Sequence, residues 1–103
     1  MSYKLRFVQT FKQEYAKEYL EIEKQFAEFE KQHAGAPEGR RYLSVAGRDA
    51  SNTLIWECDF PTLEEVHKAQ AFFLTDNTHD DLFQTQVKYI IGTYTEIYKP
   101  FDS

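Results

Sequence analysis

Leu54-Ile55-Trp56-Glu57-Cys58-Asp59-Phe60-Pro61-Thr62-Leu63-Glu64-Glu65 reads as a strand that runs directly into a helix. Leu54, Trp56, Cys58 and Phe60 alternate with Ile55, Glu57 and Asp59, the period of a strand with one face turned inward. Pro61 stops the alternation. Thr62 then stands three residues before Glu65, the spacing of a capping box. Leu63, Val66, Gln70, Phe73 and Leu74 follow at helical spacing. One short stretch therefore joins a sheet layer to a helix layer.

Working outward confirms two layers throughout. On the C-terminal side, Thr75-Asp76-Asn77-Thr78 interrupts the helix, and Thr78 with Asp81 offers a second cap. Leu82, Phe83, Val87, Ile90 and Ile91 draw another apolar stripe, Gly92 ends it, and residues 93–99 alternate as a last strand stopped by Pro100. On the N-terminal side, residues 40–48 read as a strand, with Leu43 and Val45 on one face and Tyr42, Ser44 and Ala46 on the other. A polar turn around Asp49-Ala50-Ser51-Asn52 makes it a hairpin with residues 53–60. Residues 13–34 form the clearest helix: Tyr15, Tyr19, Ile22, Phe26, Phe29 and His33 recur every three or four positions, opposite Glu14, Lys17, Glu21, Lys24, Glu28 and Lys31. Gly35 supplies a left-handed end and Pro37 forbids continuation. Residues 3–11 alternate as a first strand, with Thr10 and Gln13 spaced as a cap for the helix after it.

The order is β-α-β-β-α-β, the split βαβ arrangement. It predicts an α+β fold in which a four-stranded antiparallel sheet carries both helices on one face. At 103 residues the chain is expected to be one domain, residues 1–103. The other sheet face is left without helices, and Val8, Tyr42, Ala46 and Ile55 fall on it. A face of that mixed character calls for a partner, and a second copy through a two-fold is the commonest one. The expectation is a homodimer through the helix-free sheet face.

Composition excludes several classes. Twelve basic against seventeen acidic side chains give a net charge of −5, and no Lys/Arg cluster occurs, which argues against nucleic-acid binding. No 18-residue apolar run exists to span a membrane. Met1-Ser2-Tyr3-Lys4-Leu5-Arg6 has no leader character, and one cysteine, Cys58, allows no internal disulfide; a cytoplasmic location is expected. Aromatic residues are abundant, with nine Phe, seven Tyr and one Trp.

The whole chain resembles the dimeric α+β barrel group of ferredoxin-like proteins, which includes the NIPSNAP-like, antibiotic-biosynthesis-monooxygenase-like and haem-degrading-monooxygenase-like families. The resemblance is carried by the long first helix, the 54–65 junction, the broken second helix around Thr75-Asp76-Asn77-Thr78-His79, and the closing strand Tyr94-Thr95-Glu96-Ile97-Tyr98-Lys99-Pro100. It implies that the first strand lies between the third and fourth.

Under that strand order Arg6 falls beside Glu57 and Glu96 on the helix-free face. Tyr94 and Tyr98 share their parity, and Tyr42 lies further along the sheet. Buried cations need paired carboxylates. Two readings stay open: an ion cluster that sets the register of two sheets, or an anchor for an anionic or phenolic ligand with Arg6 as counter-charge. Arg6, Tyr42, Trp56, Glu57, Tyr94 and Glu96 are the candidate ligand-binding residues. His79 and His67 are the candidate catalytic residues, since a histidine near the helix–sheet cleft can act as a base near neutral pH. His33, at a helix C-terminus, suits the dipole. No Cys pair, His-Glu-x-x-His, Gly-x-Ser-x-Gly or phosphate-binding glycine loop is present, so no metal and no cofactor is expected.

The resemblance implies three functions. One is a NIPSNAP-like dimer of undefined role with a small-molecule pocket. Another is a cofactor-independent monooxygenase acting on a phenolic or quinol substrate, with Trp56, Tyr42, His67 and His79 around its pocket. The last is haem degradation, whose members use an Asn on the first strand and a Trp on the second helix; here the first strand offers Gln9 and the second helix has no Trp.

Overall fold

A computed structural model describes residues 2–102. The elements are β1 (Tyr3–Phe11), α1 (Ala16–Gln32), β2 (Arg40–Leu43), β3 (Thr53–Phe60), α2 (Leu63–Thr75), α3 (Asn77–Gln86) and β4 (Ile90–Tyr98), with short 3-10 turns at Gln13–Tyr15 and Val87–Tyr89. The sheet order is β2-β3-β1-β4 and every neighbouring pair is antiparallel. This is the ferredoxin-like α+β arrangement, with the second helix of the pattern divided in two.

The junction at 54–65 behaves as its residues dictate. Leu54, Trp56 and Phe60 are buried on the helix side of β3, and the Thr62 hydroxyl accepts the Glu65 amide at 3.2 Å to start α2. Leu5, Trp56, Phe60, Val66 and Ala69 form one core cluster, and Phe11, Tyr19 and Leu54 form another. Each buried Leu, Val or Phe side chain contributes roughly 1.5–3 kcal/mol by leaving water. The Phe11 and Tyr19 rings stack with centroids 4.4 Å apart, fixing α1 over the end of β1.

Four local expectations need correcting. Thr10 does not cap α1; its hydroxyl meets that of Thr53 across the β1–β3 pair at 3.2 Å, and the chain enters α1 through the 3-10 turn. The second cap is not Thr78 but Asp76, two residues earlier; the Asp76 carboxylate accepts the His79 amide at 2.9 Å. Ile90 and Ile91 belong to β4 and not to a helix, because Ile90 pairs with Phe11 and the Lys12 amide donates to the Tyr89 carbonyl at 2.8 Å. β2 stops at Leu43, short of residue 48, so Ala46 lies outside the sheet.

The last correction has a cause. After Leu43 the Ser44 hydroxyl donates to the Asp49 carbonyl at 3.0 Å, and Gly47 takes a φ of 149°, so the chain leaves the ladder. The loop 44–52 then crosses the helix-free face from β2 to β4. There the Tyr94 hydroxyl donates to Asp49 at 2.7 Å, and Arg48 hydrogen-bonds the same hydroxyl with its guanidinium over the ring. That bond to Asp49 raises the Tyr94 pKa and keeps it a phenol. Val8 and Thr53 are buried at this end of the face. The face is therefore open only toward its Lys4–Arg6 end.

Candidate functional site

Between α1, α2, α3 and the sheet lies a cavity of about 390 Å³. Its floor is the helix side of the sheet: Phe7 and Gln9 from β1, Leu54 and Trp56 from β3, Thr93 and Thr95 from β4. Its walls are Phe26 from α1, Phe73 from α2, and His79 and Phe83 from α3. Exposed Leu74, Asp80 and Gln84 mark the open end; buried Glu23, Glu30 and Gln86 mark the closed one.

The closed end is built around Arg41. Parity on β2 turns this side chain toward the helices, opposite Trp56. Its Nε donates to Glu23 at 2.7 Å, and Nη1 and Nη2 donate to Glu30 at 3.1 and 2.6 Å. Glu30 also accepts the Trp56 indole N–H at 3.2 Å and the Gly39 amide at 3.0 Å. Glu23 accepts from the Gln86 amide at 2.9 Å. Burial opposes the Arg41 charge, but the bonds and charges of Glu30 and Glu23 outweigh it and hold the guanidinium above its ordinary pKa. Tyr19, pushed well up by burial and next by Glu23, stays a hydroxyl and donates to Gln9 at 2.6 Å.

His79 sits where its position after the helix break suggests. Its ring lies 4.9 Å from both Phe26 and Phe73, centroid to centroid. Burial pushes its pKa down, against the pull of Glu30, Asp76, Glu23 and Asp80, so the imidazole is neutral at pH 7. Burial raises the Cys58 thiol, which makes it a poor nucleophile.

The structure sorts the candidates into separate places. Trp56 and His79 share the cavity. His67 does not reach it; it lies on the exposed side of α2, because Val66 and Ala69 take the inward positions. Tyr42 also lies outside it, on the opposite sheet face and half exposed. On that face the expected triad is formed: Arg6 Nε donates to Glu57 at 2.9 Å and Nη1 to Glu96 at 2.6 Å. Burial opposes the Arg6 charge, but Tyr98 and Glu57 outweigh it and the guanidinium is held above its ordinary pKa. The Tyr98 hydroxyl donates to Glu96 at 2.8 Å. Tyr94 belongs instead with Arg48 and Asp49.

Sequence reasoning missed Arg41, Glu23, Glu30 and Gln86. A signal existed: Tyr19, Glu23, Phe26 and Glu30 are spaced four, three and four apart, the buried line of α1. Among the described residues, no three His, Cys, Asp or Glu side chains are placed to hold a metal ion, and no helix is long and apolar enough to cross a membrane.

No family model and no curated protein matches the chain. Solved structures do. A NIPSNAP family protein of unknown function from Agrobacterium tumefaciens superposes with a TM-score of 0.75 at 19% identity, over 96% of this chain and 87% of that one. An uncharacterised NIPSNAP-like domain protein from Burkholderia xenovorans gives 0.76 at 12% identity, over 98% and 86%. An antibiotic biosynthesis monooxygenase gives 0.74 at 9% identity, over 95% and 97%. The chain has the ferredoxin-like fold of the NIPSNAP and antibiotic-biosynthesis-monooxygenase structures.

Proposed function

We propose that the protein binds a small, flat, mostly apolar molecule in the cleft between its helices and sheet. The observation that carries this reading is the aromatic-walled cavity of about 390 Å³ with a few convergent polar groups, within the roughly 300–1,000 Å³ of ligand pockets. Trp56 is the only tryptophan and lines that cavity, so it reports on occupancy. Titration with phenols and naphthols is expected to change Trp56 fluorescence saturably. No change up to the solubility limit of the whole panel rejects the reading.

A second reading is a cofactor-independent monooxygenase acting on a phenolic or quinol substrate. The neutral His79 imidazole within the aromatic walls favours it, since such a base can take a phenolic proton. Oxygen uptake with a panel of quinols, abolished by His79→Ala, distinguishes catalysis from binding alone.

The proposal includes a homodimer through the helix-free face, which the resemblance to dimeric α+β barrels also implies. Lys4, Arg6 and Arg40 interleave there with Glu57, Asp59 and Glu96. Three cations and three carboxylates make a neutral patch, which meets its own copy without net repulsion. Half-exposed Tyr42 and Tyr98 flank it. Light scattering at micromolar concentration is expected to give twice the 12.2 kDa chain mass, and Arg6→Met is expected to give monomer. A monomeric wild type rejects the dimer; a dimeric Arg6→Met protein moves Arg6 from assembly to ligand binding.

A further inference from the structure

We infer that the cleft selects aromatic ligands that carry a positive charge, such as an aryl or benzylic ammonium, over neutral isosteres and against anions. This rests on the cleft being a ligand site and names what that site prefers.

Among the described residues Arg41 is the one cation on the cavity lining, and all three of its guanidinium nitrogens are engaged by Glu23 and Glu30. Two carboxylates against one guanidinium leave one unit of negative charge at the closed end. Asp80 adds a second at the open end, where its carboxylate meets only the neutral amide of Gln84, at 3.4 Å. A charged ligand therefore meets net negative potential from both ends of the cavity.

His79 gives an internal check on that sign. It lies in the cavity wall, and the charges that act on it most are four carboxylates: Glu30, Asp76, Glu23 and Asp80. The ring itself is neutral, so it adds no positive charge to oppose a cation.

The walls point the same way. Phe7, Phe26, Trp56, Phe73 and Phe83 all line the cavity, so a bound molecule is surrounded by aromatic rings. Ring faces carry the negative part of an aromatic quadrupole and attract ammonium groups most strongly where water is excluded. An anion in the same place meets the carboxylates of Glu23, Glu30 and Asp80, with Arg41 already paired.

Three probes of nearly one shape separate charge from fit: phenyltrimethylammonium, tert-butylbenzene and benzenesulfonate. The chain's only indole N–H, that of Trp56, supplies a single NMR resonance as the readout. Phenyltrimethylammonium is expected to bind at least tenfold more tightly than tert-butylbenzene, and benzenesulfonate to give no saturable shift. Asp80→Asn, at an exposed position, and Glu23→Gln, which keeps the amide-to-acid shape, are each expected to narrow the cation preference severalfold. Binding of tert-butylbenzene as tight as that of the cation overturns the inference while leaving the cleft as a ligand site. So does binding of benzenesulfonate, or a preference unchanged in both variants. If none of the three probes moves the Trp56 resonance, the cleft reading and this inference fall together.

Discussion

Arg41→Met is expected to remove about 3–5 kcal/mol of folding stability, the usual loss when one partner of a buried ion pair is deleted. The reason lies in what stays behind. Glu30 keeps only 3% of its side-chain surface exposed and Glu23 10%, and both lose their cation together. At roughly 4–8 °C per kcal/mol for a domain of this size, the thermal midpoint falls by about 12 °C or more. Urea unfolding at pH 7 checks the loss. A loss below about 1 kcal/mol at pH 7 would show that the trio is solvated and contributes little.

Gly39→Ala is the second large effect, and here the requirement is space. Gly39 does not take a left-handed backbone, yet a Cβ built on it overlaps Cε2 and Nε1 of Trp56. The indole cannot retreat freely, since its N–H is bonded to Glu30, which also accepts the Gly39 amide. Overpacking of this kind removes about 1–3 kcal/mol, and a lost hydrogen bond to the Glu30 carboxylate adds roughly 1.5–3 kcal/mol. The Trp56 emission should move to the red as the ring leaves its buried seat. Gly35→Ala is the control: φ there is 91° with open space around it, so it loses about 1 kcal/mol on backbone grounds and leaves the Trp56 spectrum unchanged. Equal spectra for the two variants would sink the steric argument.

The fold was legible because its signals are local and periodic. The alternation at 54–60 and the Thr62 cap are settled within a few residues, and they appear as read. The Arg6–Glu57–Glu96 triad was legible for another reason: parity, with the strand order that the resemblance implies, places residues about fifty and ninety positions apart side by side on one face. The closed end of the cleft was harder to see. Glu23 and Glu30 lie among Glu21, Lys24, Glu28 and Lys31, and in a charged helix each reads as surface. Their burial follows from Arg41, which arrives from an edge strand through tertiary packing. The loop after Leu43 was misread for a similar reason: Val45 continues the alternation of β2, but Asp49 and Arg48 find Tyr94 on a distant strand.

That loop has a mechanical consequence. β2 and β4 are the two edges of the sheet, separated by β3 and β1, about 14 Å at ordinary strand spacing. Edge strands normally fray on their own, each at a low local free energy of opening. Here the Asp49–Tyr94 link ties one edge to the other like a cross-brace on a frame. Separating β4 from β1 strains the hairpin on the far side, and loosening the hairpin releases β4. Opening of one margin is then expected to loosen the other, and a four-residue β2 is braced by a strand it never pairs with.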